Sequence, residues 1–188
     1  MPKLIIGLTS MPGAGKGTAA KYLERKYHAT QFSFGGILAD VLNRLALDIS
    51  RPNLQKLSTL LRQGFGEDVL AFAIEKDAVT ADTDLVVIEG IRRPGDIVAL
   101  EPLPYFKLIA VDAAPELRFA RMKKRGEKAG ESDLTWEKFL VQESGEAELA
   151  IPIVMARASE TLDNSGSLDG FQAKLDDLMA RFGVTPKT

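Results

Sequence analysis

The sequence of residues 10–18 is Ser-Met-Pro-Gly-Ala-Gly-Lys-Gly-Thr, and its two flanks differ in character. Residues 3–9, before it, are mostly apolar and typical of a buried strand, whereas residues 19–26, after it, are rich in helix formers. A glycine-rich turn between a strand and a helix, ending in a lysine and a hydroxyl, is the context of a phosphate-binding loop. The sequence therefore predicts an anion site near its N-terminus.

The residue types of this loop suit a polyphosphate. Glycines let the backbone approach the ligand closely and turn its N–H groups inward, and the following helix N-terminus adds partial positive charge. Lys16 supplies a full charge, and the Thr18 hydroxyl is suited to hold Mg²⁺ or its water ligands. The predicted nucleotide-binding residues are Gly13, Ala14, Gly15, Lys16, Gly17 and Thr18.

The Gly-Lys-Gly-Thr ending resembles the loop of adenylate kinases, within the P-loop kinases of small molecules. The match to the common pattern is incomplete, because Ser10 replaces the first glycine and Gly17 separates the lysine from the hydroxyl. The resemblance implies ATP and Mg²⁺ as cofactors, with Lys16 as a catalytic residue.

Composition is that of an ordinary globular chain. Its 188 residues suit one α/β domain, 1–188, and 45% are hydrophobic. The net charge of −2 gives no indication of nucleic-acid or membrane binding, and the absence of cysteine suits a reducing compartment. Because an apolar strand begins almost at once, we expect no signal peptide. We expect a cytoplasmic monomer or homodimer acting on a small molecule.

A second informative stretch is Asp-Leu-Val-Val-Ile-Glu-Gly-Ile-Arg-Arg-Pro at 84–94. An unbroken apolar run predicts a central parallel strand, and the carboxyl ends of such strands line the ligand crevice. Glu89 is therefore predicted to share a metal ion with Thr18, through water. The stretch resembles the Asp-Gly-x-x-Arg turn of adenylate kinases and, more closely, the strand-end acid and arginines of phage deoxynucleotide kinases. The resemblance implies that Arg92 or Arg93 contacts the acceptor phosphate. The other arginine is then structural or solvated.

Strand and helix patterns alternate along the chain. They predict a three-layer α/β sandwich with a five-stranded, mostly parallel sheet, of the P-loop NTPase and nucleotide-kinase type. A glycine pair at 35–36 ends the second strand before a helix at 37–45, and Asn53 is placed to cap the next helix. In the resembling kinases, a helical region corresponding to about 35–80 covers the acceptor.

A basic helix begins near Pro115 and enters the polar segment 126–133. Arg118, Arg121 and Arg125 share one face of this helix. The arrangement resembles the lid of small P-loop kinases, here at about 121–135. The resemblance implies that Arg121 and Arg125 stabilise the transferring phosphoryl group as catalytic residues.

The chain ends with a strand, Asn164-Ser165-Gly166 and a helix. This order resembles dephospho-coenzyme A kinases and implies that Asn164 and Gly166 contact the adenine through backbone groups. Asn-Ser-Gly is also simply a good turn sequence.

The acceptor site departs from the adenylate kinase pattern. In that family, the arginine of a Thr-Gly-Asp-x-x-Arg turn binds the AMP phosphate. In this sequence Gly36 stands at the aspartate position of that turn, and Ala39 stands at the arginine position. A methyl group cannot replace a charge-assisted contact to phosphate. Arg62, with Arg92 or Arg93, is predicted to bind the acceptor instead. We therefore expect a nucleoside or deoxynucleoside monophosphate as acceptor, with AMP not preferred.

Two other functions are compatible with the sequence. One is phosphorylation of dephospho-coenzyme A, and the other is a nucleotide-binding switch or a partner-dependent ATPase. A guanine switch would carry an Asn-Lys-x-Asp motif, which is absent. Transfer assays beside an assay of ATP hydrolysis alone separate the three.

Overall fold

A computed structural model describes residues 2–125 and 134–187. Five strands form one sheet in the order β2-β3-β1-β4-β5, and all their pairings are parallel. The strands are β1 (Leu4–Thr9), β2 (Thr30–Ser33), β3 (Leu85–Ile91), β4 (Phe106–Asp112) and β5 (Glu160–Asp163). The predicted fold class is confirmed.

Helices cover both faces of the sheet. They are α1 (Lys16–Tyr27), α2 (Phe34–Arg44), α3 (Arg51–Phe65), α4 (Val69–Thr80), α5 (Pro115–Arg125), α6 (Trp136–Glu143), α7 (Glu146–Leu149), α8 (Ile151–Met155) and α9 (Leu168–Arg181). One core packs α1 and α9 on the sheet, for example through Leu23 and Leu175. The opposite core packs α2 and α4, for example through Leu38 and Ile74. The central strand β1 is buried along its whole length between the two layers.

Two predicted helix starts were wrong. The helix α2 begins at Phe34, because the Ser33 side chain accepts a hydrogen bond from the Gly36 N–H and caps it. The glycine pair therefore lies inside its first turn. The cap of α3 is Ser50, not Asn53.

None of the helices described within residues 2–125 and 134–187 is long and apolar enough to cross a membrane.

A polar cluster joins α9 to the C-terminal half of α1. The Asp176 carboxylate accepts hydrogen bonds from the Tyr22 hydroxyl at 2.7 Å, the Tyr27 hydroxyl at 2.8 Å and the Lys26 ammonium at 2.7 Å. Burial opposes ionisation of Asp176, but these donors outweigh it, so its pKa lies below the usual value. Burial and the contact with Asp176 raise the pKa of Tyr27 to about 12.

Asp176→Asn should destabilise the fold at neutral pH. An amide has one oxygen for three donors, and the side chain of Asp176 is 35% exposed, so we expect a loss of about 1–2 kcal/mol. Because the folded-state pKa is lowered, the contribution is present above the unfolded pKa of about 3.9 and is lost as the pH falls through the folded-state value. Urea unfolding of both proteins at pH 7 and pH 3 measures this. Equal midpoints at pH 7 would contradict the role of the cluster.

Candidate active site

The glycine-rich loop connects β1 to α1, and two of its residues adopt left-handed backbone conformations. Gly13 has φ +82° and Gly15 has φ +109°. A Cβ at Gly13 would lie 2.6 Å from the backbone oxygen of Arg118, and one at Gly15 would lie 2.1 Å from Nδ2 of Asn164. Both positions therefore require glycine for conformation and for space.

The loop lysine and the strand-end acid lie opposite each other. Lys16 starts α1, and its ammonium lies 3.9 Å from a carboxylate oxygen of Glu89, at the end of β3. A Cβ at Gly17 would also be 3.9 Å from that oxygen, so Glu89 lies directly beside the loop. Thr18 is exposed in the first turn of α1. The structure thus brings together the residues predicted to hold phosphate and metal.

The loop residues fit a nucleotide with Mg²⁺. Among the described residues no group of three or more His, Cys, Asp or Glu side chains could hold a metal ion. Thr18 and Glu89 would therefore supply only part of the coordination, as is usual for Mg²⁺ bound through phosphates and water. In addition, Nη1 of Arg121 is buried and has no hydrogen-bond partner among the described residues, which leaves a donor for an anionic ligand.

Asn164 supports the loop instead of presenting its backbone to a base. Its Nδ2 donates to the Ala14 carbonyl at 2.7 Å, and its own N–H donates to the Asp112 carbonyl at 2.7 Å. Its carbonyl accepts from Nη2 of Arg121 at 2.7 Å. The predicted backbone contact with adenine is corrected, because both backbone groups are already bonded within the protein. Gly166 is open, since a Cβ there would meet no atom of the described residues within 4 Å.

The predicted lid lies mostly outside the described residues. Arg121 is in α5 and contacts Asn164, close to the loop. Arg125 is the last residue of α5, and residues 126–133 follow it. The proposal that 121–135 close over the nucleotide stays a prediction.

Arg118 is a loop-positioning residue that the sequence analysis did not assign. It is buried and donates to the backbone carbonyls of Pro12 and Ala113. Its guanidinium also forms an ion pair with Glu143 and lies over the ring of Phe139. The spacing of the arginines in α5 shows that Arg118 and Arg121 share a face. The spacing does not show that this face turns towards the loop. That orientation depends on contacts of Arg118 with Pro12 and Glu143, which are distant in sequence.

Arg62 does not take the predicted acceptor-binding position. It is only 6% exposed, and its Nη2 lies 2.6 Å from a carboxylate oxygen of the buried Asp96. Its Nη1 donates to the backbone carbonyl of Glu67. The guanidinium is therefore used inside the protein, which corrects the prediction.

The two arginines after β3 lie on a hydrogen-bonded turn. The N–H groups of Arg92 and Arg93 donate to the second carboxylate oxygen of Asp96, at 2.8 and 2.9 Å. The Arg92 side chain lies 3.4 Å from the buried Glu148, and that of Arg93 lies 3.5 Å from the exposed Glu67. Both arginines thus have carboxylate partners, and the geometry does not separate their predicted roles.

A cavity of about 430 Å³ opens beside Glu89 along the edge strand β2. Three of its lining residues are carboxylates, and none of the described lining residues is basic. They are Gln31, Phe32, Ser33, Gly36, Ile37, Asp40, Asp77 and Glu89. Such a lining favours hydroxyl and amino groups over anions, so a phosphate group would not lie deep within it.

This combination of parallel sheet, loop and strand-end acid defines a P-loop kinase-like protein. The model of the AAA domain family matches residues 9–139. A UPF0200 protein of Thermococcus kodakarensis is 30% identical over 181 residues, covering 94% of this chain and 96% of the relative. One of Methanocaldococcus jannaschii is 29% identical over 178 residues, covering 94% and 89%. The chain therefore belongs to the AAA domain family and also to the UPF0200 proteins.

Solved structures show the same fold. TT1252 from Thermus thermophilus superposes with a TM-score of 0.65 at 21% identity, covering 96% of this chain and 98% of that one. A shikimate kinase from Bacteroides thetaiotaomicron gives 0.60 at 15% identity, covering 94% and 98%. At these identities the likeness concerns the fold alone.

Gly13→Ala should damage the loop. The substitution places a Cβ against a backbone oxygen at a positive φ, which costs about 1–3 kcal/mol of strain. We expect lower thermal stability and weaker nucleotide binding, measured by calorimetry with ATP–Mg²⁺. Gly64→Ala, in α3, is the matched control and should keep wild-type binding, because a Cβ there would meet no atom of the described residues within 4 Å and its φ is not positive. Wild-type behaviour of Gly13→Ala would show that the loop tolerates another conformation.

Proposed function

We propose that the protein transfers the γ-phosphoryl group of ATP to a nucleoside or deoxynucleoside monophosphate. The observation that supports this most strongly is the position of Lys16 opposite Glu89, 3.9 Å apart, between the phosphate loop and the cavity at β2. A donor phosphate on the loop would then face an acceptor at the carboxyl edge of the sheet.

Phosphoryl transfer depends more on positioning and charge neutralisation than on covalent catalysis. In this proposal Lys16 and the first N–H groups of α1 hold the donor phosphates. Thr18 and Glu89 hold Mg²⁺, in part through water. Arg121 and Arg125 approach the transferring group, and the buried Nη1 of Arg121 supports this part of the proposal.

The acceptor phosphate is assigned to the turn that carries Arg92 and Arg93. With Arg62 bonded to Asp96 and Ala39 at the former arginine position, these two are the arginines that follow directly on the strand-end acid. The nucleoside part would extend towards the cavity, where carboxylates accept hydrogen bonds from sugar hydroxyls or base amines. The ion pair between Arg93 and the exposed Glu67 is weak, so it would compete little with a contact to phosphate.

The test is a comparison of kcat/KM for all ribo- and deoxyribonucleoside monophosphates, with ATP saturating. We expect transfer to at least one monophosphate and a preference for one other than AMP, because the arginine of the adenylate kinase turn is missing. ATP hydrolysis without acceptor should be much slower than transfer.

Three results would change the assignment. Preference for AMP would show that the Ala39 departure has no consequence for selectivity. Transfer to dephospho-coenzyme A but to no monophosphate would replace the acceptor. Hydrolysis alone, without transfer to any compound, would favour the partner-dependent ATPase.

Lys16→Ala should lower turnover by about three orders of magnitude, because it removes a charge from the transferring group. Initial rates at saturating ATP and acceptor measure this. Lys21→Ala, a change at an exposed position of the same helix, serves as the control and should retain wild-type turnover. Full activity of Lys16→Ala would refute the assignment of the loop.

A further inference from the structure

The turn after β3 is organised around one buried carboxylate. Asp96 is 2% exposed, and a single oxygen of it accepts the N–H groups of both Arg92 and Arg93. Its other oxygen faces Nη2 of Arg62 at 2.6 Å. Asp96 therefore fixes the backbone of the two arginines and is itself fixed from outside the turn.

The outside support comes from the helical region that precedes β3. Arg62 lies in the last turn of α3, and its Nη1 bonds the carbonyl of Glu67 in the corner between α3 and α4. The same carbonyl lies 2.9 Å from the position of a Cβ on Gly95. The corner therefore packs closely on the turn.

We propose that Arg62 and Asp96 are positioning residues for the acceptor phosphate. In this arrangement, which rests on the proposed function, Arg62 holds Asp96, and Asp96 orients the backbone of Arg92 and Arg93 so that their side chains meet the acceptor. Arg62 thus acts on the acceptor indirectly, through the turn, and makes no contact with it.

The chemistry of the pair supports a geometric role. Removing one partner of a buried ion pair leaves an uncompensated charge, whereas an apolar pair of similar volume often gives equal or greater stability. A pair of this kind gains little for stability alone. One carboxylate oxygen of Asp96, however, sets the direction of two consecutive N–H groups, which an apolar side chain cannot do.

The experiment compares Asp96→Asn and Arg62→Met with wild type. Each should raise the KM for the preferred monophosphate by about 10- to 100-fold, as expected when a binding group is displaced by about an ångström. The KM for ATP should change much less than the KM for the monophosphate, because the loop follows another strand and is coupled to the turn only indirectly. The double variant should be no worse than the more affected single variant, since both act through the same turn.

Hydrogen exchange supplies a readout independent of activity. The amides of Arg92 and Arg93 should exchange faster in Asp96→Asn and Arg62→Met, while amides of β1 keep their protection. If Arg62→Met does not fold stably, Arg62→Lys is measured in its place. A lysine keeps a positive charge for Asp96 but lacks the two separate guanidinium nitrogens that bond Asp96 and Glu67, so an intermediate effect is expected.

Asp176→Asn is the matched control. It also removes a carboxylate that accepts hydrogen bonds from three groups, but this carboxylate lies between α1 and α9. It should lower stability and leave the acceptor KM unchanged. Unchanged acceptor KM and unchanged exchange at Arg92 and Arg93 in Asp96→Asn would overturn the positioning role. Equal rises in both KM values would overturn it in favour of a general structural role.

The two proposals fail differently. A wild-type protein that transfers phosphate to no monophosphate refutes the proposed function and the acceptor assignment of the turn. Exchange at Arg92 and Arg93 then decides alone whether Arg62 and Asp96 hold the turn.

Discussion

The close approach of two other segments to the backbone at residues 13–15 is the constraint on which the site depends. The carbonyl of Arg118 approaches Gly13 from α5, and the amide of Asn164 approaches Gly15 from the end of β5. Neither approach leaves room for a side chain on the loop. Because β4 adjoins β1 and β5 adjoins β4, the segments that follow these two strands reach the loop from the same side of β1. The conformation of the loop therefore depends on the strand order of the sheet.

Buried arginine–glutamate and arginine–aspartate pairs then connect this loop and the turn after β3 to the rest of the chain. Arg118 joins Pro12 to Glu143, and Arg62 joins the α3–α4 corner to Asp96. Arginine suits such positions because its planar guanidinium donates in several fixed directions at once. Five arginines were assigned to the site from the sequence, and one of them, Arg62, is buried and paired with Asp96. Arg118, named only for its helix face, proved to contact the loop.

Patterns with a local cause were predictable from sequence. The loop at 10–18 and the apolar run of β3 were enough to predict the parallel sheet, with Lys16 in the loop and Glu89 at the strand end. Strands and turns of this kind depend on neighbouring residues. The glycine pair at 35–36 was misinterpreted because Ser33 caps α2 earlier than the glycines suggest. The partners of Arg62 and Arg118 could not be predicted, because Asp96 and Glu143 lie 34 and 25 residues away and no periodicity connects them. Asn164 was predicted to contact adenine, and its side-chain bond to the loop at Ala14 could not be predicted, because it depends on tertiary packing.

Under the proposed function, the segment from α6 to α7 would let donor and acceptor affect each other. Glu143 pairs with Arg118, which touches the phosphate loop, and Glu148 pairs with Arg92 in the turn after β3. One short segment is thus bonded to both halves of the site. A ligand that draws Arg92 away from Glu148 changes the restraint on that segment, and through Glu143 on the loop. By thermodynamic linkage the effect is reciprocal, so the affinity for donor and the affinity for acceptor would share a single coupling free energy.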